Sequence, residues 1–172
     1  DAYGVDFVLK YSTEKTYLWA VYSLGKVTRW DGLRTYSPLF DRRHNINLVG
    51  TQKFGKDNGW EINLRWNYGS GLPFTQTQGY YHSIDYSQGI NTNISSANDN
   101  QLGLIYADLN QGRLSAYHRL DFAIKKHIDI NDKSTLDITA SVTNIYSRKN
   151  IFYVDRVTTE KVYQIPILPS LG

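Results

Sequence analysis

Hydrophobic and polar residues alternate along much of this chain with a period of two. In "GWEINLRWNYGSGLPF" (residues 59–74), Trp60, Ile62, Leu64, Trp66 and Tyr68 share one parity, and Glu61, Asn63, Arg65 and Asn67 share the other. Successive side chains of an extended strand point to opposite faces, so this stretch predicts a strand with one apolar, aromatic face and one charged, amide-rich face. Residues 3–11 read the same way, with Tyr3, Val5, Phe7, Leu9 and Tyr11 on one side. In 16–28 both parities carry large apolar groups. Ala20, Tyr22 and Leu24 form the preferred apolar row because Ser23 and Gly25 oppose them. Residues 44–54 offer Ile46 and Leu48 against Asn45, Asn47 and Thr51. In 117–130 Leu120, Phe122, Ile124, Ile128 and Ile130 stand against Arg119, Asp121, Lys125, His127 and Asp129, with Lys126 breaking the apolar row. The last segment, 135–146, sets Leu136, Ile138, Ala140 and Val142 against Asp137, Thr139, Ser141 and Thr143. None of these segments has helical periodicity.

The connections alternate as well. "STEK", "GKDNG" and "NDKS" are short and carry the Gly, Asn, Asp and Ser that tight turns select. Between them lie "RWDGLRTYSPLFDRR" and the stretch 69–116. In an up-and-down antiparallel meander, this order puts every short turn at one end and every long loop at the other. That polarity, with strands long enough for a tilted crossing of about 9–11 residues, predicts a partial transmembrane β-barrel within an all-β fold. The apolar face then meets lipid. Tyr11 and Trp60 mark an aromatic belt at the turn end, and Tyr3, Trp66 and Tyr68 one nearer the loops. Glu61, Asn63, Arg65, Arg119, Asp121 and Asp137 line the interior. A soluble β-sandwich, with the same aromatics filling a core, produces the same alternation.

Composition sharpens the picture in three places. Fourteen tyrosines, four tryptophans and thirteen glycines favour an all-β fold. The absence of cysteine removes disulfides, thiolate metal sites and a cysteine nucleophile. The net charge of +3 is spread along the chain without a basic block, which argues against nucleic acid as a partner. No apolar run is long enough for a membrane-spanning helix. The chain contains no methionine and opens within an apparent strand, and so reads as a piece of a longer protein.

Candidate chemistry is sparse, and neither catalytic residues nor a metal or cofactor site is expected. "GSG" (69–71) lacks the lysine and context of a phosphate loop and reads as a strand-end bend. His44 and His118 occupy matching places in "RHNINLV" and "YHRLDFA" and read as a shared rim position bonding a neighbouring strand. "DRRH" (41–44) reads as a rim network of charge-assisted hydrogen bonds in preference to an anion site. "SSANDNQ" (95–101) has oxygen groups enough for calcium but reads as a polar loop tip. A ligand surface is expected in "QGYYHSIDY", with Tyr80, Tyr81, His82, Asp85 and Tyr86 combining stacking platforms and hydrogen-bonding groups.

The segments "SLGKVTRWDGL", "FDRRHNINLVGTQKF", "WNYGSGLPFT", "AYHRLDFAIKK", "VTNIYSRKNIFYV" and "IPILPSLG" occur in an order that resembles the C-terminal barrel of TonB-dependent outer-membrane receptors. The resemblance is greatest to the group with a carboxypeptidase-regulatory-like N-terminal domain, and it covers nearly the whole chain apart from the middle of 79–112. It implies a bacterial outer-membrane location and energy-coupled nutrient uptake. Residues 1–172 would supply barrel wall and external loops, with the plug and the final closing strand lying outside them. The implied partners are outer-membrane lipid, the rest of the receptor, the TonB complex and a surface lipoprotein. Residues 151–165 would form a hairpin above the outer rim. A structural outer-membrane barrel without transport and a soluble sandwich binding module are the competing readings.

Overall fold

The computed structural model describes residues 1–82, 102–131 and 134–172. Seven strands form one antiparallel sheet in chain order: β1 (Ala2–Ser12), β2 (Thr16–Val27), β3 (His44–Phe54), β4 (Trp60–Gly69), β5 (Tyr117–Asn131), β6 (Ser134–Thr143) and β7 (Leu168–Leu171). Every pair is antiparallel and joins consecutive members, so the fold is a meander. No α-helix occurs among the described residues. The nearest approach is a single 3₁₀ turn, Lys56–Asn58, between β3 and β4.

Cross-strand register settles which residues share a face. Val5, Phe7 and Leu9 lie opposite Leu24, Tyr22 and Ala20, which in turn meet His44, Ile46 and Leu48 on β3. The row continues through Tyr68 and Trp66 to His118 and Leu120. Nearer the turns, Ile62 and Leu64 meet Ile124 and Phe122, which face Ala140 and Val142. Directly opposed residues point to the same side of a sheet, so one apolar face runs from β1 to β6, interrupted by Lys26, Gln52 and Lys126. The parity of β2, ambiguous in the sequence, is resolved in favour of Ala20, Tyr22 and Leu24.

The opposite face is polar and internally bonded. Thr51 donates through its hydroxyl to Asn63 Oδ1 at 2.7 Å, and Asn63 Nδ2 donates to Glu61 Oε1 at 2.8 Å. The Asn67 and Asn47 side-chain amides bond across the same strand pair. Arg119 and Asp121 form a 2.9 Å ion pair, and His127 Nδ1 lies 2.5 Å from Asp137 Oδ1.

Two boundaries differ from the sequence reading. The last long strand ends at Thr143 and does not run on to Tyr146. Asn144 adopts a positive φ of 54° and Ser147 one of 51°, so the chain turns there despite the apolar residues that follow. Residues 168–171 form a seventh strand, pairing Leu168 with Thr143 and Leu171 with Ala140. The three tight turns join their strand pairs as the alternation predicts, with residues 132–133 of the last turn outside the described residues.

No hydrophobic side chain is buried among the described residues, and every residue of β1 is exposed. Neither face of the sheet is covered by another layer of the described residues. Among the described residues the buried polar side chains are Asp41, Asn110, Asn144 and Asn150, with Asp41 and Asn144 fully enclosed, all at the long-loop end.

Candidate ligand site at the long-loop end

The loops beyond the sheet fold into short ladders. Arg29–Trp30 pairs with Thr35–Tyr36, and Pro73–Phe74 with Gly112–Arg113. Thr77–His82 pairs with Leu102–Tyr106, and Ile151–Val154 with Lys161–Tyr163, the hairpin expected above the rim.

Asp41 is the keystone of this rim. It has no solvent exposure, accepts the Val27 N–H at 2.9 Å through Oδ1, and meets Arg113 Nη2 at 2.5 Å through Oδ2. Arg113 also donates to the carbonyls of Asp41 and Gly71, each at 3.1 Å. Burial favours the neutral carboxylic acid most strongly, yet Arg113, the Val27 amide and the charge of Arg43 outweigh it and hold Asp41 below the usual carboxylate range. Of "DRRH", Asp41 supplies the charge-assisted bond, to the distant Arg113, while Arg42 packs over the Tyr117 ring.

Both glycines of "GSG" are closely approached, Gly69 by a flexible side chain and Gly71 by backbone, so glycine is required at 71. A Cβ on Gly69 would lie 2.0 Å from the Arg42 guanidinium, and one on Gly71 would lie 1.7 Å from the Leu114 carbonyl oxygen. The backbone of 114 therefore seats directly on residue 71, closing the base of the long loop.

Three asparagines finish the rim. Asn144 donates through Nδ2 to the carbonyls of Arg148 and Ile165 and accepts the Arg148 N–H, each at 3.0 Å. Asn150 brackets His118, accepting its N–H at 3.1 Å and donating to its carbonyl at 2.9 Å. Asn110 donates to the Ser37 carbonyl at 2.9 Å. The two matched histidines each bond a tyrosine hydroxyl: His44 with Tyr22 at 2.9 Å and His118 with Tyr146 at 2.8 Å. For His44 the partner is on the neighbouring strand, as expected. For His118 it stands in the turn after β6.

Above this rim lies an open cleft of about 820 Å³, between 72–78 and the 151–163 hairpin. Phe74, Phe152 and Tyr153 supply aromatic surface, Leu39, Leu72 and Leu114 aliphatic surface, and Gln76 and Gln78 side-chain amides. Two hydrogen bonds hold the hairpin tip: the Tyr80 hydroxyl donates to the Val157 carbonyl at 2.7 Å, and Thr77 Oγ1 to the Arg156 carbonyl at 3.0 Å. Asp155, on the cleft wall, is engaged by its own turn. The Thr158 and Val157 N–H groups, each at 2.8 Å, hold its carboxyl below the usual range. Arg156 packs over the Tyr106 ring at 5.7 Å. The lining is suited to stacking and hydrogen bonding of a largely uncharged ligand. Among the described residues no group of three or more His, Asp or Glu side chains is placed to hold a metal ion.

Of the residues predicted to bind ligand, the described Tyr80, Tyr81 and His82 do not line this cleft. Tyr80 clamps the hairpin, and the Tyr81 ring covers Gly103, where a Cβ would lie 2.2 Å from the ring. His82 ends its ladder opposite Leu102. Asp85, Tyr86 and the 95–101 loop lie outside the described residues. The cleft instead uses Phe74, Gln76 and the "IFYV" segment. The available signal was an all-apolar hairpin strand raised above a polar rim. The other predicted sets fall as units. Tyr3, Tyr11, Trp60, Trp66 and Tyr68 lie on the apolar face, while Glu61, Asn63, Arg65, Arg119, Asp121 and Asp137 share the polar one.

No family model, curated protein or solved structure matches this chain.

Proposed function

We propose that this chain is wall and outer rim of a bacterial outer-membrane receptor barrel of the TonB-dependent type, serving energy-coupled uptake of a nutrient recognised at the rim. The observation that carries the reading is the uncovered apolar face. Tyr3, Phe7 and Leu9 are 65%, 62% and 68% exposed, and no layer of the described chain lies over them. Apolar surface on this scale needs a cover. Lipid supplies one without a second protein layer, and it fits the polar, hydrogen-bonded opposite face.

Dimensions agree. From Trp60 to Tyr68 the strand covers about 27 Å at about 3.4 Å per residue, the scale of a barrel's apolar band of about 25 Å before tilt. Aromatic groups gather at both limits: Phe54 stacks on Trp60 at one, and Phe7, Tyr22 and His44 stack in series at the other. The outer edges of β1 and β7 carry unpaired backbone groups that lipid cannot satisfy. In this reading the rest of the receptor continues the wall there. The plug and the TonB contact come from that same remainder, and the rim is the face toward a surface lipoprotein. The cleft beside Phe74 and Phe152 is the part of the substrate surface this chain contributes.

Depth-resolved quenching tests the lipid assignment. The chain is refolded into vesicles of brominated phosphatidylcholine, using variants that keep a single tryptophan. Trp66, on the apolar face, is quenched strongly, whereas Trp19, on the polar face of β2, is not. Equal quenching of the two, or a monomeric, cooperatively folded chain without detergent or lipid, overturns the reading. The second outcome would assign the apolar face to a soluble sandwich.

A further inference from the structure

Lys126 is out of place on the apolar face. It lies between Ile124 and Ile128 on β5 and opposite Trp60 and Ile138 on the neighbouring strands. Across that face the paired strand positions hold two lysines, Lys26 opposite Tyr3 at the loop end and Lys126 at the turn end. A charged group among apolar neighbours is costly unless something pairs with it.

The protein supplies only part of that partner. The Lys126 ammonium sits 4.8 Å from the centroid of the Trp60 ring, which stacks on Phe54 at 6.3 Å. It also packs against the turn, where a Cβ on Gly59 would lie 3.1 Å from its Nζ. Among the described residues no carboxylate lies within ion-pair distance of it. The ring offers a π face but no lone pair. The Trp60 indole N–H is likewise without an acceptor in the described structure. Two hydrogen-bond donors thus stand together where β4 begins, beside the Phe54 ring, with Ile128 and Ile130 lying beyond Lys126 on β5.

We propose that Phe54, Trp60 and Lys126 form a binding site for the phosphate of an anionic phospholipid at the turn-end margin of the sheet. The site rests on the membrane reading above. The ammonium and the indole N–H donate to phosphate or ester oxygens, and the acyl chains of the same lipid lie along Ile124, Phe122 and Leu64. A lysine stem that crosses apolar surface to bring its charge to the headgroup level suits this position. The source is a lipid and not a free anion, because the apolar surface beneath the two donors is complementary to acyl chain.

The test uses the full chain in bilayer discs of equimolar phosphatidylcholine and phosphatidylglycerol, with retained lipid identified by native mass spectrometry. Phosphatidylglycerol is enriched about fivefold in the wild type, the factor expected for one lysine at a charged headgroup layer. K126Q brings the ratio to parity, K126R restores it, and K26Q leaves it at the wild-type value. Excess inorganic phosphate does not lower the enrichment. Parity in the wild type overturns the site, as does full enrichment in K126Q or an equal loss in K26Q. Displacement by inorganic phosphate overturns the lipid assignment. Circular dichroism confirms strand content in each variant. Trp66 and Trp19 quenching in parallel samples separates the two proposals. Quenching of Trp66 alone, without enrichment, removes this site and leaves the membrane reading intact; loss of that contrast removes the membrane reading.

Discussion

The sheet and the rim above it handle burial in opposite ways. The sheet is regular and long-stranded, yet no hydrophobic side chain in it is buried. The rim is irregular, built from ladders of two to six residues, and it encloses Asp41 and Asn144 completely. A buried polar group is stable only when its hydrogen bonds are made within the protein. Asp41 meets that condition with Val27 and Arg113, and Asn144 with Arg148 and Ile165. The wall therefore depends on its surroundings for apolar burial, whereas the rim is stabilised by contacts internal to the chain. Conditions that strip the surroundings should disturb the first and spare the second.

The largest break in that contrast comes from charging the wall. Leu64 lies midway along β4, opposite Gly50 and Phe122. On the proposed membrane reading, Leu64→Arg should destabilise the protein in lipid by about 3 kcal/mol, the middle of the range for arginine at a bilayer midplane. Ser141→Arg, on the polar face, should shift stability by less than about 0.5 kcal/mol. Urea unfolding in vesicles measures both, and equal effects would place water on both faces.

Next comes the rim's keystone. Asp41→Ala leaves the Val27 N–H without its acceptor and removes the carboxylate from Arg113, which keeps its bonds to the backbone carbonyls of residues 41 and 71. The expected cost is about 2–3 kcal/mol, below that of a fully buried pair because the Arg113 side chain is 35% exposed. Hydrogen exchange at Val27 reads it locally, and strand amides of β4 should be unaffected. The same amide tests pH. Asp41's folded pKa lies below its ordinary 3.8, so its contribution is complete above that value and is lost as pH falls through the lowered one. Protection at Val27, corrected for intrinsic exchange, should hold down to about pH 4 and weaken only below.

Smaller effects follow. Asn144→Ala loses three side-chain hydrogen bonds and leaves at a positive φ a residue that tolerates it less well than asparagine, at about 1–2 kcal/mol. Exchange at the Arg148 amide reports it. His127→Gln removes an exposed pair with Asp137 on the polar face and should change unfolding free energy by less than about 1 kcal/mol.

The wall was largely legible in the sequence and the rim largely was not, for one physical reason. Alternation is local: Trp60, Ile62, Leu64 and Trp66 declare their face within seven residues, and the register then forces their neighbours to agree. Rim contacts are distant in sequence. Asp41 and Arg113 are 72 positions apart, and Tyr80 and Val157 are 77. No local pattern around Tyr80 and Tyr81 distinguishes a clamp from a ligand platform. The end of β6 shows competition at close range. Tyr146 keeps the parity of Leu136, Ile138, Ala140 and Val142, but the Asn144 side-chain amide donates to two carbonyls and the chain turns there. The apolar row of β2 became clear only through pairing with Phe7 and Ile46.

The seating of Leu114 on Gly71 has a kinetic consequence. Five residues, 55–59, separate β3 from β4, whereas 47 residues, 70–116, separate β4 from β5. Loop-closure entropy rises with the logarithm of length, which makes the second junction about 2 kcal/mol harder to close. The first four strands can zip in succession, each against its predecessor, but β5 must be brought in from afar. A glycine that lets two backbones touch at the base of that excursion would shorten the search by joining its ends before the strand docks. Slowing of one refolding phase in Gly71→Ala, with the first hairpins forming at their normal rate, would be the signature of that junction as the late step of assembly.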